Sequence, residues 1–196
     1  MNLPNKLTIA RIVLAFIFMV LLFCNSVTCK VLALLTFLAA SFTDYLDGFI
    51  AKKFNITSDF GKIMDPVADK ILTIAAFLAF VELKLVPAWT VAVIILRELV
   101  ITSMRLRALL DREVLPAGMA GKQKTVSQIV TIVAILVFIV FKETGVRAFG
   151  FWNETFEYWY RQGIFIMMLV TVALTLISGF SYMLGNKKYL FGNGRM

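Results

Sequence analysis

Stretches free of any charged side chain recur six times along this chain, at Ile12–Cys29, Val31–Thr43, Ile71–Val81, Leu85–Leu96, Thr125–Phe141 and Gln162–Asn186. Each lies in a segment of helical length, and a helix that crosses a bilayer takes about 20 mostly apolar residues. Three of the runs are too short to cross alone and are completed by residues that include Asp, Lys or Arg. Such groups are costly in lipid unless they face a cavity or an interface, so the charged ends carry the information. With 60% hydrophobic and 16% charged residues, the composition argues against a water-soluble fold. The pattern predicts an all-α, polytopic membrane protein: six transmembrane helices in one bundle. With no internal repeat or linker, residues 1–196 are predicted to form a single membrane domain.

Six spans put both termini on one side of the membrane. That side collects Lys6, Arg11, Lys52, Lys53, Lys62, Lys70, Arg105, Arg107, Arg112, Lys122, Lys124, Lys187, Lys188 and Arg195, against Lys30, Lys84, Lys142, Arg147 and Arg161 on the other. Lys and Arg in short loops mark the cytoplasmic face, so both termini are predicted to be cytoplasmic. The basic face also suits anionic membrane lipids, and no nucleic-acid partner is expected. Lys6 and Arg11 before an apolar run imitate a signal peptide, but no A-x-A cleavage site follows and the segment is read as a retained helix. Met1–Leu7 is short and mixed enough to lie along the interface ahead of it. Trp152, Tyr158, Trp159 and Tyr160 are read as interfacial anchors before the sixth span. Cys24 and Cys29 are read as small apolar core residues, with pairing not favoured.

Histidine is absent, which leaves carboxylates, Lys, Arg, Tyr or a hard metal ion to carry any chemistry. At the end of the second span, Asp44, Asp47, Gly48 and Ala51 fall at i, i+3, i+4 and i+7, on one helical stripe. Gly61, Asp65 and Asp69 follow a second stripe at i, i+4 and i+8 at the start of the third span. Antiparallel helices joined by a short loop can turn these stripes toward each other. Four carboxylates gathered in a membrane repel one another unless divalent cations neutralise them. An oxygen-only ligand set suits Mg²⁺, Mn²⁺ or Ca²⁺. Gly48, Ala51 and Gly61 leave the helix surface bare, so a flat base or a pyrophosphate could approach. Pro66 predicts a kink or a late helix start near Asp65, and Asp59 is read as a helix-start cap or a solvated side chain.

Asp44-x-x-Asp47-Gly48-x-x-Ala51-Lys52, eight residues, then Gly61-x-x-x-Asp65-x-x-x-Asp69 resembles the signature of the CDP-alcohol phosphotransferases. One position departs: Lys52 stands where that family usually has Arg, which keeps the charge and loses the forked donor. The resemblance implies a six-span homodimer that binds CDP-diacylglycerol on a centre of two divalent metal ions, Mg²⁺ or Mn²⁺. It further implies that Asp44, Asp47, Asp65 and Asp69 ligate metal, that Asp69 also takes the acceptor's proton, and that Asp47, Gly48, Ala51, Lys52 and Gly61 hold the CDP-diacylglycerol.

Asn2–Thr8 with Arg11, Arg97–Arg105 and Gly121–Thr125 are similar to segments of the bacterial phosphatidylglycerophosphate synthases, although Ser103 stands where Gly is expected. This implies glycerol 3-phosphate as the acceptor, the bacterial cytoplasmic membrane as the location and a cytoplasm-facing active site. Arg105, Lys122 and Lys124 are then expected to bind the acceptor phosphate through charge-assisted hydrogen bonds, while Arg97 and Glu98 read equally as a structural ion pair. The same chemistry on inositol phosphate or phosphatidylglycerol stays open. So do an ion or metal transporter and a noncatalytic scaffold.

Overall fold

The computed structural model describes residues 3–54, 59–110, 119–145 and 153–186. They form six helices: α1 (Leu3–Phe23), α2 (Val27–Phe54), α3 (Asp59–Glu82), α4 (Ala88–Leu110), α5 (Met119–Thr144) and α6 (Glu154–Gly185). Local chemistry accounts for several boundaries. At the start of α6 the Asn153 side chain accepts from the Phe156 amide at 2.8 Å, with Glu154 and Glu157 in the positive first turn. Lys30 is buried and donates to the Leu22 carbonyl, satisfying an orphan acceptor at the end of α1. Lys84 ends α3 in the left-handed conformation, with φ 56°. Its amide and that of Leu85 bond back to Val81 and Phe80, each at 2.9 Å, the double closure usually given to glycine.

α1 is the wedge of the bundle. It packs along both α2 and α3, which touch each other only slightly among the described residues, while α5 packs on α6 and α2, and α4 on α6 and α3. The two stripes expected to face each other, on residues 44–51 and 61–69, have their side chains outside the described residues. One apolar cluster draws on all six helices, including Phe18, Phe37, Phe77, Phe80, Ile94, Phe138 and Met168. Its rings meet at tilted or edge-on angles, with Phe18 and Phe37 5.8 Å apart and Phe77 and Phe80 at 87°.

Large apolar side chains also cover the outside. Phe16, Val20, Leu96, Ile177 and Phe180 are all more than 60% exposed, which water would not tolerate on this scale. Among the described residues, two helical segments are long and apolar enough to cross a membrane, Gly121–Thr144 and Glu154–Gly185, and Ala10–Phe23 and Val27–Thr43 are shorter apolar helices.

Some local expectations change. Leu3–Leu7 are the first turns of α1 rather than a separate segment, and α3 begins at Asp59, ahead of Pro66, rather than late. Tyr160 is stacked on Phe138 at 4.4 Å, so it packs inside, whereas Tyr158 and Trp159 are exposed. Trp152 lies outside the described residues. Cys24 is exposed and Cys29 only partly covered, so neither is a core residue; both are free thiols, their sulfurs 2.9 Å apart.

Candidate active site

Asp44, Asp47, Gly48, Ala51 and Lys52 lie in the C-terminal part of α2, and Gly61, Asp65 and Asp69 in the N-terminal half of α3. Because each set sits within one continuous helix, the stripe spacings hold for the backbone. Their side chains lie outside the described residues. Among the described residues, no three of His, Cys, Asp and Glu gather as a metal-binding group.

At the same end of the bundle the interior turns polar. Glu98, the sole acid of α4, is buried and collects three cations. Its Oε1 accepts from Lys124 of α5 and lies 3.4 Å from Arg97 Nη1, and its Oε2 lies 3.1 Å from Lys70 Nζ of α3. Lys70 also donates to the Glu98 carbonyl at 3.4 Å and to Thr102 Oγ1. Counted over the described residues, three cations on one carboxylate leave the cluster net positive. In an apolar interior such a group persists only with its charges paired and hydrogen-bonded.

The seam continues into α6. Arg97 Nη2 donates to Ser178 Oγ at 2.8 Å, and Thr131 and Thr171 share a hydrogen bond at 2.9 Å. Arg97 reaches Ser178 across Gly179, where an added Cβ would stand 3.0 Å from Arg97 Cγ; a larger residue would push the guanidinium aside. Deeper in, Gln128 Nε2 and Thr175 Oγ1 are buried without a hydrogen-bond partner among the described residues. Nearer the helix ends, Arg105 Nε donates to Tyr182 Oη at 3.3 Å and its guanidinium carbon lies 5.3 Å from the ring centroid.

The residues predicted to bind an acceptor phosphate are thus distributed. Lys124 is buried against Glu98, Arg105 is partly buried against Tyr182, and Lys122 is exposed on the first turns of α5. Arg107 is exposed, while Arg112, Lys187 and Lys188 lie outside the described residues. Sequence reasoning treated Lys70 as one more basic residue of the topology and did not single out Thr102, Ser178 or Tyr182. The available signal was Glu98, a single acid in a long apolar helix, which needs partners from elsewhere in the chain.

Comparison with known proteins places this arrangement. Over 193 residues, 92% of this chain and 93% of the relative, it is 37% identical to the CDP-diacylglycerol--glycerol-3-phosphate 3-phosphatidyltransferase of Bacillus subtilis (strain 168). The protein of the same name from Rickettsia bellii (strain RML369-C) is 32% identical, covering 96% of this chain and 97% of its own length. A probable phosphatidylglycerophosphate synthase of Mycobacterium tuberculosis (strain ATCC 25618 / H37Rv) is 37% identical over 134 residues, 67% of this chain and 64% of that one. The family model for CDP-alcohol phosphatidyltransferase matches residues 1–182, helix ends, aspartate stripes and polar seam together, and the chain belongs to that family.

Proposed function

We propose that this protein transfers the phosphatidyl group of CDP-diacylglycerol to sn-glycerol 3-phosphate, giving phosphatidylglycerophosphate and CMP. The observation that carries the reading is a juxtaposition. α3, which bears Asp65 and Asp69, is tied through Lys70 into the net-positive seam of Arg97, Glu98 and Lys124. A phosphorylated acceptor needs such positive charge beside the reacting centre; serine or choline would not. The names of the relatives that match nearly the whole chain point to the same reaction.

The donor set fits a hard divalent cation, since α2 and α3 offer only carboxylates and no imidazole or thiolate along these stripes. Asp44, Asp47, Asp65 and Asp69 would hold two Mg²⁺ or Mn²⁺ ions. When bound, such a pair neutralises the pyrophosphate and polarises the phosphorus for in-line displacement. Gly48, Ala51 and Gly61 leave room for the cytidine and pyrophosphate, with Lys52 as a point charge near them. Arg105, Lys122 and Lys124 orient the acceptor phosphate. Asp69 takes the proton of the attacking hydroxyl as the new oxygen–phosphorus bond forms and the bond to CMP breaks, its electron pair leaving with CMP. In this reading residues 1–196 are one domain of a homodimer in the bacterial cytoplasmic membrane. Six helices span the bilayer, and both termini and the active site face the cytoplasm.

The test is CMP release by the purified protein in detergent with CDP-diacylglycerol and Mg²⁺, comparing glycerol 3-phosphate, inositol phosphate, serine and no acceptor. CMP formed with glycerol 3-phosphate alone supports the assignment, and release with another acceptor keeps the chemistry and changes the substrate. No metal-dependent release with any acceptor returns the transporter and scaffold readings to the front.

A further inference from the structure

Lys70 is the residue after Asp69, and its ammonium has three protons to donate. It has three acceptors: Glu98 Oε2 at 3.1 Å, the Glu98 carbonyl at 3.4 Å and Thr102 Oγ1. All three belong to one turn of α4 and, among the described residues, they match its three protons. Among the described residues, Lys70 makes every side-chain hydrogen bond between α3 and α4. Such a side chain, the polar tie from α3 to α4 among the described residues, can act as a strut. Apolar contacts alone tolerate small rotations and slides, whereas a charge anchored at three points does not.

We infer that the Lys70–Glu98–Thr102 clasp positions α3 for the reaction: by pinning Lys70 to α4 it fixes the rotation and height of the adjoining turn, and with them the placement of Asp69. Successive residues are about 100° apart around a helix, so a clasp at Lys70 sets the azimuth of its neighbour directly. Lys70 and Glu98 are positioning residues that act through Asp69. The inference rests on the proposed phosphatidyl transfer.

The experiment is steady-state kinetics of Lys70→Met, Lys70→Arg and Thr102→Val beside the wild type, with thermal unfolding in detergent measured with and without CDP-diacylglycerol. Lys70→Met should lower kcat about 10- to 100-fold, the cost of misplacing a catalytic group by roughly 1 Å. KM for both substrates should stay within about threefold and the CDP-diacylglycerol-induced rise in Tm should persist, because substrate binding is not what the clasp supplies. Lys70→Arg should recover most of kcat, and Thr102→Val, which removes one of three partners, should lose about three- to tenfold. If Lys70→Met does not fold, Thr102→Val decides: a kcat loss at unchanged KM supports the clasp and an unchanged kcat overturns it. A Lys70→Met kcat within twofold of wild type overturns the inference alone. So does a loss that merely tracks Tm and substrate binding, or a Lys70→Arg no better than Lys70→Met. A wild type that releases no CMP with any acceptor overturns the proposed function and this inference with it.

Discussion

The two ends of the bundle are built on opposite principles. Toward the α1–α2 and α3–α4 turns the interior is mainly aromatic, with Phe18, Phe37, Phe77, Phe80 and Phe138 fully buried and one buried lysine, Lys30, bonded to the Leu22 carbonyl. Toward the other end, where α2 finishes and α3 begins, the interior holds Lys70, Arg97, Glu98, Lys124, Gln128, Thr171, Thr175 and Ser178. The aromatic end gains from shape and tolerates a swap that keeps volume. Charge placement rules the polar end, where removing one partner strands another in an apolar interior. Rigidity can be had either way, but the groups proposed to bind and transfer phosphate lie at the polar end. Most of the charge buried among the described residues is gathered at that end, with Lys30 the exception.

The largest test of the contrast is Asp69→Asn, a change at the polar end that should lower CMP release by about 10²- to 10⁴-fold while the protein stays folded. Near-normal turnover would remove Asp69 as the base. Phe37→Ala should do the reverse. It should cost roughly 3 kcal/mol in unfolding free energy through lost packing, with kcat and KM of the folded fraction unchanged. If it instead altered KM, the aromatic end would not be independent of the site. Arg105→Ala should raise the apparent KM for glycerol 3-phosphate about tenfold, equivalent to a charge-assisted hydrogen bond of about 1.4 kcal/mol, with little change for CDP-diacylglycerol. An unchanged acceptor KM would take Arg105 out of the pocket. Lys84→Gly, in the turn at the aromatic end, should stabilise by about 1 kcal/mol by relieving the left-handed backbone, provided Arg161 keeps its 3.1 Å bond to the carbonyl of residue 84. Thr131→Val, which breaks the α5–α6 hydrogen bond to Thr171, should cost only about 0.6 kcal/mol, a typical value between helices in a membrane.

The aspartate stripes were legible because their grammar is local. Asp44, Asp47, Gly48 and Ala51 lie within eight residues, and a fixed helical period converts their spacing into a shared face. The adjacent Arg97–Glu98 pair was legible and is formed, but the other partners of the charged groups were not, because they come from remote parts of the chain. Lys70 meets Thr102 across 32 residues, Arg105 meets Tyr182 across 77, and Arg97 meets Ser178 across 81. Tyr160 misled for a related reason. Its ring fits an interfacial belt by composition, and only its stacking on Phe138 shows that it packs inward.

What the sequence determined by itself is the helical architecture and the chemistry on offer. Apolar run length and helical period are properties of consecutive residues, and a chain without histidine, its two cysteines apart from the aspartate stripes in sequence, leaves carboxylates and cations on those stripes. Only the tertiary structure decided that α1 would pack along both α2 and α3, that Lys124 would be held by Glu98, and that Lys70 would meet Glu98 and Thr102 of α4. Those outcomes depend on how six similar apolar surfaces pack. In lipid, packing is chosen by side-chain shape and by the few buried polar groups that must find one another, not by the hydrophobicity that the sequence displays so clearly.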